Sequence, residues 1–432
     1  MAAALRVADV IRACWESYNR AYALPPHVVK AVRHILRCRT AALGGHIHQC
    51  DQCGSEVPVY NSCQTRHCPT CQTSAKEKWL DARLAEVLPV QYFHVVFTLP
   101  HGLNALIDAN RSLLLGELFG VANWVLQHFA HDPQWRLEGQ LGFLAILHTW
   151  TQRLKRHFHL HCIVPGGVWR AAAKPLGEAG RAAAEPLGEA GRETDGQWVP
   201  CRGKWLFRKD SLADAFRNRF LQRLQSLRRR GKLAYGGRAA PLAAATAWEA
   251  LLASLANAKW IVYPKPTPDD PTLALDYVAR YTHKVAIGDS RIKAIQDGQV
   301  TYSWRDRSDN NIEKTETIPT ALFTRRFTAH ILPNGFHKIR YFGWMAAAHR
   351  KEILAAIRQA IHVEAPPAPA CPELVEGAKE TLAERVLRRT GVDITLCPHC
   401  GQGHLQRTDR LIPACSATRS VAGRMPHRGQ AP

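Results

Sequence analysis

The chain has 432 residues, 46% of them hydrophobic, enough to bury a core and to form more than one domain. Its 57 Lys and Arg outnumber 36 Asp and Glu, a formal charge of +21, so the expected partner is a polyanion, with DNA or RNA first. No uncharged apolar run approaches the ~18 residues of a spanning helix, which excludes that kind of membrane protein.

Residues 1–45 read as helical, with Val7, Val10, Ile11 and Cys14 at helical spacing. Arg6, Asp9 and Arg12 interrupt the apolar pattern there, as in an amphipathic helix and unlike a signal peptide. The expected location is therefore the cytoplasm, at the nucleoid, where the 13 cysteines serve as metal ligands before disulfides. A Cys- and His-dense stretch runs from His46 to Cys71, and a helical pattern follows from Ala75 to Leu88. Gln91 to Thr98 reads as a strand ended by Leu99-Pro100, and residues 102–152 as mostly helical. His157 to Val164 reads as a second strand, closed by Pro165-Gly166-Gly167.

AAAKPLGEAGR at 171–181 is followed at once by AAAEPLGEAGR at 182–192. Two copies are too few for a solenoid, so the pair reads as a duplicated surface loop. Residues 211–230 form an amphipathic helix. Leu212, Phe216, Phe220, Leu224 and Leu227 line one face, and Arg217, Arg219, Arg223 and Arg228 to Arg230 supply charge for solvent or phosphate. Beyond residue 363 the chain turns Pro- and Ala-rich, as in a linker, and residues 413–432 read as disordered.

Two CxxC pairs, Cys50 with Cys53 and Cys68 with Cys71, carry the first chemistry. Each pair turns its thiolates toward one point, and two pairs complete the tetrahedral sulfur shell that Zn²⁺ prefers. The expected structural zinc site is therefore Cys50, Cys53, Cys68 and Cys71, with Cys63, His67, His46 and His48 as spare ligands. Arg66, with Lys76 and Lys78 nearby, is an expected grip on DNA. Cys397 and Cys400 offer half of a second site, with His404 and Cys415 as the available completers.

Side chains two apart on a strand share a face. His159 and His161 therefore point together, and Leu160 and Cys162 point oppositely into the core. Two imidazoles so placed can chelate a divalent ion, and Gln152, expected on the preceding helix, would add an oxygen. Such a set with open positions suits Mg²⁺ or Mn²⁺ bound to phosphate. Tyr277 and Tyr281 are four apart, so on a helix their hydroxyls share a face. Aromatic residues at this spacing also build cores, but Arg280, His283 and Lys284 crowd the same turns. A phenol of pKa near ~10 becomes a nucleophile beside a metal or cations, and attack on a phosphodiester leaves a covalent phosphotyrosine.

Six ordered stretches carry a family likeness: CRTAALGGH (38–46), YNSCQTRHCPTCQ (60–72), HVVFTLP (94–100), HFHLHCIVPGG (157–167), YVARYTHKVAI (277–287) and RRFTAHILPNGFHKIRYFG (325–343). In these the chain resembles the two-tyrosine rolling-circle transposases of bacterial insertion sequences, within the HUH endonuclease superfamily. The resemblance implies an α+β fold: an antiparallel-sheet nuclease domain with flanking helices, plus a small N-terminal helical and zinc-binding module. The chain divides accordingly into a helical segment (1–45), a zinc module contacting DNA (46–90), the tyrosine transposase domain (91–345, interrupted by the 171–192 loop), and a C-terminal helix, linker and tail (346–432).

The resemblance further implies that His159, His161 and Gln152 hold Mg²⁺ or Mn²⁺, with His283 as the alternative third ligand. Tyr277 and Tyr281 would be the nucleophiles, acting in turn, the first leaving a 5′-phosphotyrosine and a free 3′-hydroxyl. The implied substrate is single-stranded DNA at the element's ends. Arg66, Arg280, Lys284, Arg325 and Arg326 are the expected DNA contacts. No G-x-x-x-x-G-K-[ST] occurs, so a host helicase or replication machinery is the expected unwinding partner. A plasmid replication initiator or relaxase would share this chemistry. A zinc-dependent DNA-binding protein without catalysis would leave the histidines and tyrosines idle. The duplicated loop and the tail after Leu411 depart from the family pattern.

Overall fold

The computed structural model describes residues 5–72, 79, 83, 86–171, 196–202, 206–267, 286–306, 308–346, 350–362 and 381–412. Strands β1 (Gly45–Cys50) and β2 (Glu56–Tyr60) make an antiparallel hairpin near the N-terminus. The body is built on β3 (Tyr92–Thr98), β4 (Phe143–Trp150) and β5 (Arg156–Pro165). A ribbon of β6 (Gly167–Ala171) and β7 (Gly196–Pro200) follows, and β8 (Ile261–Pro266) returns to the body. A three-stranded antiparallel meander comprises β9 (Ile292–Gln296), β10 (Gln299–Asp306) and β11 (Ile312–Pro319). Last come β12 (Ile339–Phe342) and β13 (Leu405–Ile412). The fold is α+β, as expected.

The central sheet is antiparallel throughout, in the order β12-β4-β5-β3-β8. Strand alternation divides its residues between two faces. Phe93, Val95 and Phe97 of β3, Phe143, Ala145 and Leu147 of β4, and Phe158, Leu160 and Cys162 of β5 enter one apolar core. Helices Arg111–His131 and Lys209–Arg229 cover that face. The second presents Leu212, Phe216, Phe220, Leu224 and Leu227, the stripe its spacing predicts. Leu160 and Cys162 lie in this core as their alternation with His159 and His161 requires.

The structure corrects three expectations of local structure. Residues 143–150 form β4, where a mostly helical stretch was expected. FLAILHTW is buried almost throughout at the sheet centre, so it lacks the polar alternation that marks a half-exposed strand. Gln152 consequently sits in the turn between β4 and β5, not on a helix; Leu154 in that turn has φ +56°. The C-terminal region holds more than the expected helix, linker and tail. A capped helix, Leu382–Thr390, precedes β13, which pairs with β1 from Gly45↔Ile412 to Cys50↔Leu405. The duplicated loop from 172 onward and the tail from 413 lie outside the described residues.

A second core joins the N-terminal helices Val7–Arg12 and Pro26–Arg37 to the meander and the following helix, Thr320–Thr328, through Val10, Val32, Ile35, Val300, Tyr302 and Phe323. Among the described residues no single helix is long and apolar enough to cross a membrane.

The two-faced sheet predicts an asymmetric response to substitution. Leu160→Ala, on the core face, should lower stability by about 2–5 kcal/mol, whereas Thr98→Ala, lining the opposite side, should change it by about 0.5 kcal/mol or less in urea unfolding.

Candidate active site

On the sheet face opposite the helices, His159 and His161 of β5 meet His148 of β4. The register pairs His148 directly with His159 and Ile146 with His161. One ring nitrogen from each of the three lies within 4.8 Å of the others, the spacing of a chelating set. The His148 ring lies 5.3 Å from that of His159 and 4.4 Å from that of His161. All three are at most 9% exposed.

Neighbours orient the rings. His94 of β3 shares the face, and its Nε2 lies 2.7 Å from Nδ1 of His161. Nδ1 of His159 lies 3.0 Å from the carbonyl oxygen of His157 and is therefore its donor. With both Nδ1 atoms engaged, Nε2 is the nitrogen that His159 and His161 offer an ion. Imidazole ligands are commonly fixed through their second nitrogen in this way. The donor set fits a divalent transition ion.

The histidines floor a cleft of about 710 Å³. Cations and aromatic rings line it: Arg153, Lys155, Lys265, Trp150, Trp304 and Tyr263. Gln152 lines it as well. Its turn is clamped by Arg291, which donates to the carbonyls of Gln152 and Ser303, each at 2.6 Å. His330, buried and pushed down to about 4 by burial, stays neutral; it bonds the Thr149 hydroxyl and the Leu154 carbonyl at the two ends of that turn. Arg153 crosses to the meander, where it bonds Glu316 through two nitrogens at 2.9 and 3.0 Å and lies over the Trp304 ring. Tyr277, Tyr281, Arg280, His283 and Lys284 lie outside the described residues. The chain on either side of them, Lys265 and Ala286, lines the cleft.

The cysteines divide differently from the expected set. Cys50, Cys53, Cys68 and Cys71 do not form one site: Cys68 and Cys71 cluster with Cys38 and Cys63, while Cys50 and Cys53 cluster with Cys397 and Cys400. The reason is topological. The hairpin β1–β2 carries Cys50 and Cys53 away at its tip, and the loop after β2 returns the second CxxC to Cys38 at the end of helix Pro26–Arg37. Cys38 and Cys68 are buried in the second core. The half-site at Cys397 and Cys400 is met by Cys50 and Cys53 and not by His404, whose ring instead faces Asp393 and Thr395; Cys415 lies outside the described residues.

Residues 142–178 and 188–352 match a family model described as "Putative transposase", and residues 10–99 match a transposase zinc-binding domain. A Sinorhizobium fredii protein described as "Putative transposase y4qJ" is 38% identical over 401 residues, 92% of this chain and 94% of the relative. The transposase for insertion sequence element IS801 of Pseudomonas savastanoi pv. phaseolicola is 25% identical over 356 residues, 82% and 78% of the two chains. The chain belongs to the two-tyrosine transposases of bacterial insertion sequences. No solved structure matches it.

For the transposase, His148 and His94 are the site residues that sequence reasoning missed. Both fall on strands whose alternation places them on the histidine face, but only pairing with β5 reveals the match. Among the expected DNA contacts, Arg66 is committed inside the fold, donating to the carbonyls of Phe336 and Pro333. Arg326 bonds Glu316 and Tyr302. Arg325 is exposed, in a groove it shares with Lys155 and Arg238.

Glu316 ties the cleft rim to the meander. Bonding from Arg153, aided by Tyr302 and Arg326 against the opposing effect of burial, holds its carboxyl at about 2, below the ordinary 4.5. A depressed carboxylate stabilises the folded state above its unfolded pKa, and the contribution fades as pH falls from 4.5 toward about 2. Glu316→Gln should therefore cost roughly 1–3 kcal/mol in urea unfolding at pH 7, with the difference from wild type disappearing near the acid end of that window.

Proposed function

We propose that this transposase nicks single-stranded DNA at the ends of its insertion sequence and transfers the strand through a tyrosine-linked intermediate. The observation that carries the reading is the three-histidine set at the floor of a cationic cleft, which is also lined by Lys265 and Ala286, the described residues on either side of the stretch that bears both tyrosines.

His148, His159 and His161 would hold the divalent ion, with Gln152 a further ligand from its clamped turn. A bound ion would polarise the scissile phosphate and offset charge developing on it. Three imidazoles disfavour Mg²⁺, a hard ion that takes oxygen ligands and dehydrates reluctantly, so Mn²⁺ is the better match of the two. Lys155 and Lys265 face the phosphate backbone, and Trp150, Trp304 and Tyr263 offer surfaces on which unpaired bases stack. The preference for a single strand follows from this mixture of cations and cleft-lining rings.

Tyr277 or Tyr281 attacks phosphorus in line. A phosphorus–oxygen bond forms to the phenol and the bond to the 3′ oxygen breaks. The phenol loses its proton, the departing oxygen takes one up, and the 5′ phosphate stays on the enzyme. One phosphoester replaces another, so rejoining needs no nucleotide. The second tyrosine serves the strand-transfer step, and unwinding falls to host proteins.

Labelled end oligonucleotides incubated with Mn²⁺ and resolved on denaturing gels test this. Wild type should form a covalent adduct, and the Tyr277→Phe/Tyr281→Phe double variant none; an adduct in the double variant contradicts the mechanism. His148→Ala should abolish nicking as completely as His159→Ala. His94→Ala should raise the Mn²⁺ requirement about 10–100-fold while saturating ion restores the rate, since His94 acts through His161.

A further inference from the structure

The family's zinc-binding model ends at residue 99, yet half of the second cysteine cluster comes from Cys397 and Cys400. We propose that Cys50, Cys53, Cys397 and Cys400 bind a second structural zinc ion, which clips the C-terminal segment 381–412 onto the N-terminal module.

The geometry is that of a tetrathiolate site. A tetrahedron with Zn–S bonds of about 2.3 Å has edges of about 3.8 Å. Cys50 Sγ lies 3.7 Å from Cys400 Sγ, and Cys53 Sγ lies 3.8 Å from Cys397 Sγ. All four sulfurs fall within 4.8 Å of one another. These separations exceed a disulfide bond of about 2.05 Å by far. The neighbouring cluster has the same scale, with Cys63 and Cys71 sulfurs 3.8 Å apart.

Both halves are folded as matching knuckles. Each CxxC is followed by a glycine in the left-handed region, Gly54 at φ +71° and Gly401 at +66°. Each glycine N–H returns to the carbonyl of the first cysteine, Gly54 to Cys50 at 3.1 Å and Gly401 to Cys397 at 2.9 Å. Backbone N–H groups are aimed at the sulfurs: Cys53 to Cys50 at 3.5 Å, His399 to Cys397 at 3.4 Å, and Gly403 to Cys400 at 3.3 Å. Donors so directed favour thiolates over thiols.

The two knuckles are also shaped to each other. A Cβ on Gly403 would lie 2.5 Å from Cys50 Sγ and 2.7 Å from the Asp51 carboxylate, so the position admits only glycine. Asp51 accepts from the His404 N–H at 2.8 Å, and its own N–H donates to the His404 carbonyl. Strand β13 then continues along β1, so the metal sits at the closed end of a three-stranded sheet made from both ends of the chain.

The test counts zinc released from the full-length protein by a mercurial thiol reagent, which frees thiolate-bound metal and ignores the histidine site. Wild type should release two equivalents. Cys397→Ser/Cys400→Ser should release one, Cys400→His should keep two, and Gly403→Ala, with every cysteine present, should weaken retention of the second. One equivalent from wild type overturns the proposal, as do two from the double serine variant. A protease site placed between 363 and 380 reads the clip itself. After cutting, the C-terminal piece should co-elute with the body until the thiol reagent is added; separation while both zinc ions are retained would contradict the clip.

Discussion

Alternation along one strand governs the rest of this molecule. Residues of β5 at even steps from Phe158 must be apolar to meet the two covering helices, and those offset by one are free to carry chemistry. His159 and His161 use that freedom. Antiparallel pairing then fixes what stands beside them, because the register that buries Leu147 against Leu160 also sets His148 opposite His159. A slip of one residue would send the histidines into the core and the leucines into the cleft. Core packing and site geometry are thus one constraint seen from two faces.

The cysteine module belongs to the same packed body as the cleft. Cys38 and Cys68 lie in a core with Ala286, Ile287 and Tyr302. Asp289, just after the tyrosine-bearing segment, accepts from the Val7 N–H at 2.9 Å and from the Thr70 hydroxyl at 2.7 Å. The chain leaving the cleft is therefore pinned at once to the first N-terminal helix and to the loop between Cys68 and Cys71. Because thiolate–metal binding contributes folding free energy outright, metal at this module would support the position of Ala286 in the cleft lining.

Much of the site was legible because it rests on local periodicity. The shared face of His159 and His161, the burial of Leu160 and Cys162, and the apolar stripe of the helix over 209–229 all follow from spacing within one element. What stayed hidden depends on pairing between distant segments. His94 and His148 each read as lone histidines until β3 and β4 flank β5. β4 itself was obscured because a strand buried on both faces shows no alternation, and Gln152 was drawn into a helix with it. A CxxC announces a knuckle but not its partner: Cys50 and Cys53 meet residues more than 340 positions away, and Cys38, unlike the spare ligand Cys63, is a single cysteine outside the Cys- and His-dense stretch. Arg66 looked like a DNA contact by charge, and its guanidinium is spent on carbonyls within the fold.

The proposed chemistry depends on three histidine nitrogens binding one ion on the open face of the sheet. Pulsed electron paramagnetic resonance of Mn²⁺ added to the zinc-loaded transposase, with histidine labelled by ¹⁵N, reads this directly. Coupling to three directly bound imidazole nitrogens is expected, reduced to two in His148→Ala. A Mn²⁺ signal with no histidine nitrogen in its coordination sphere would contradict it.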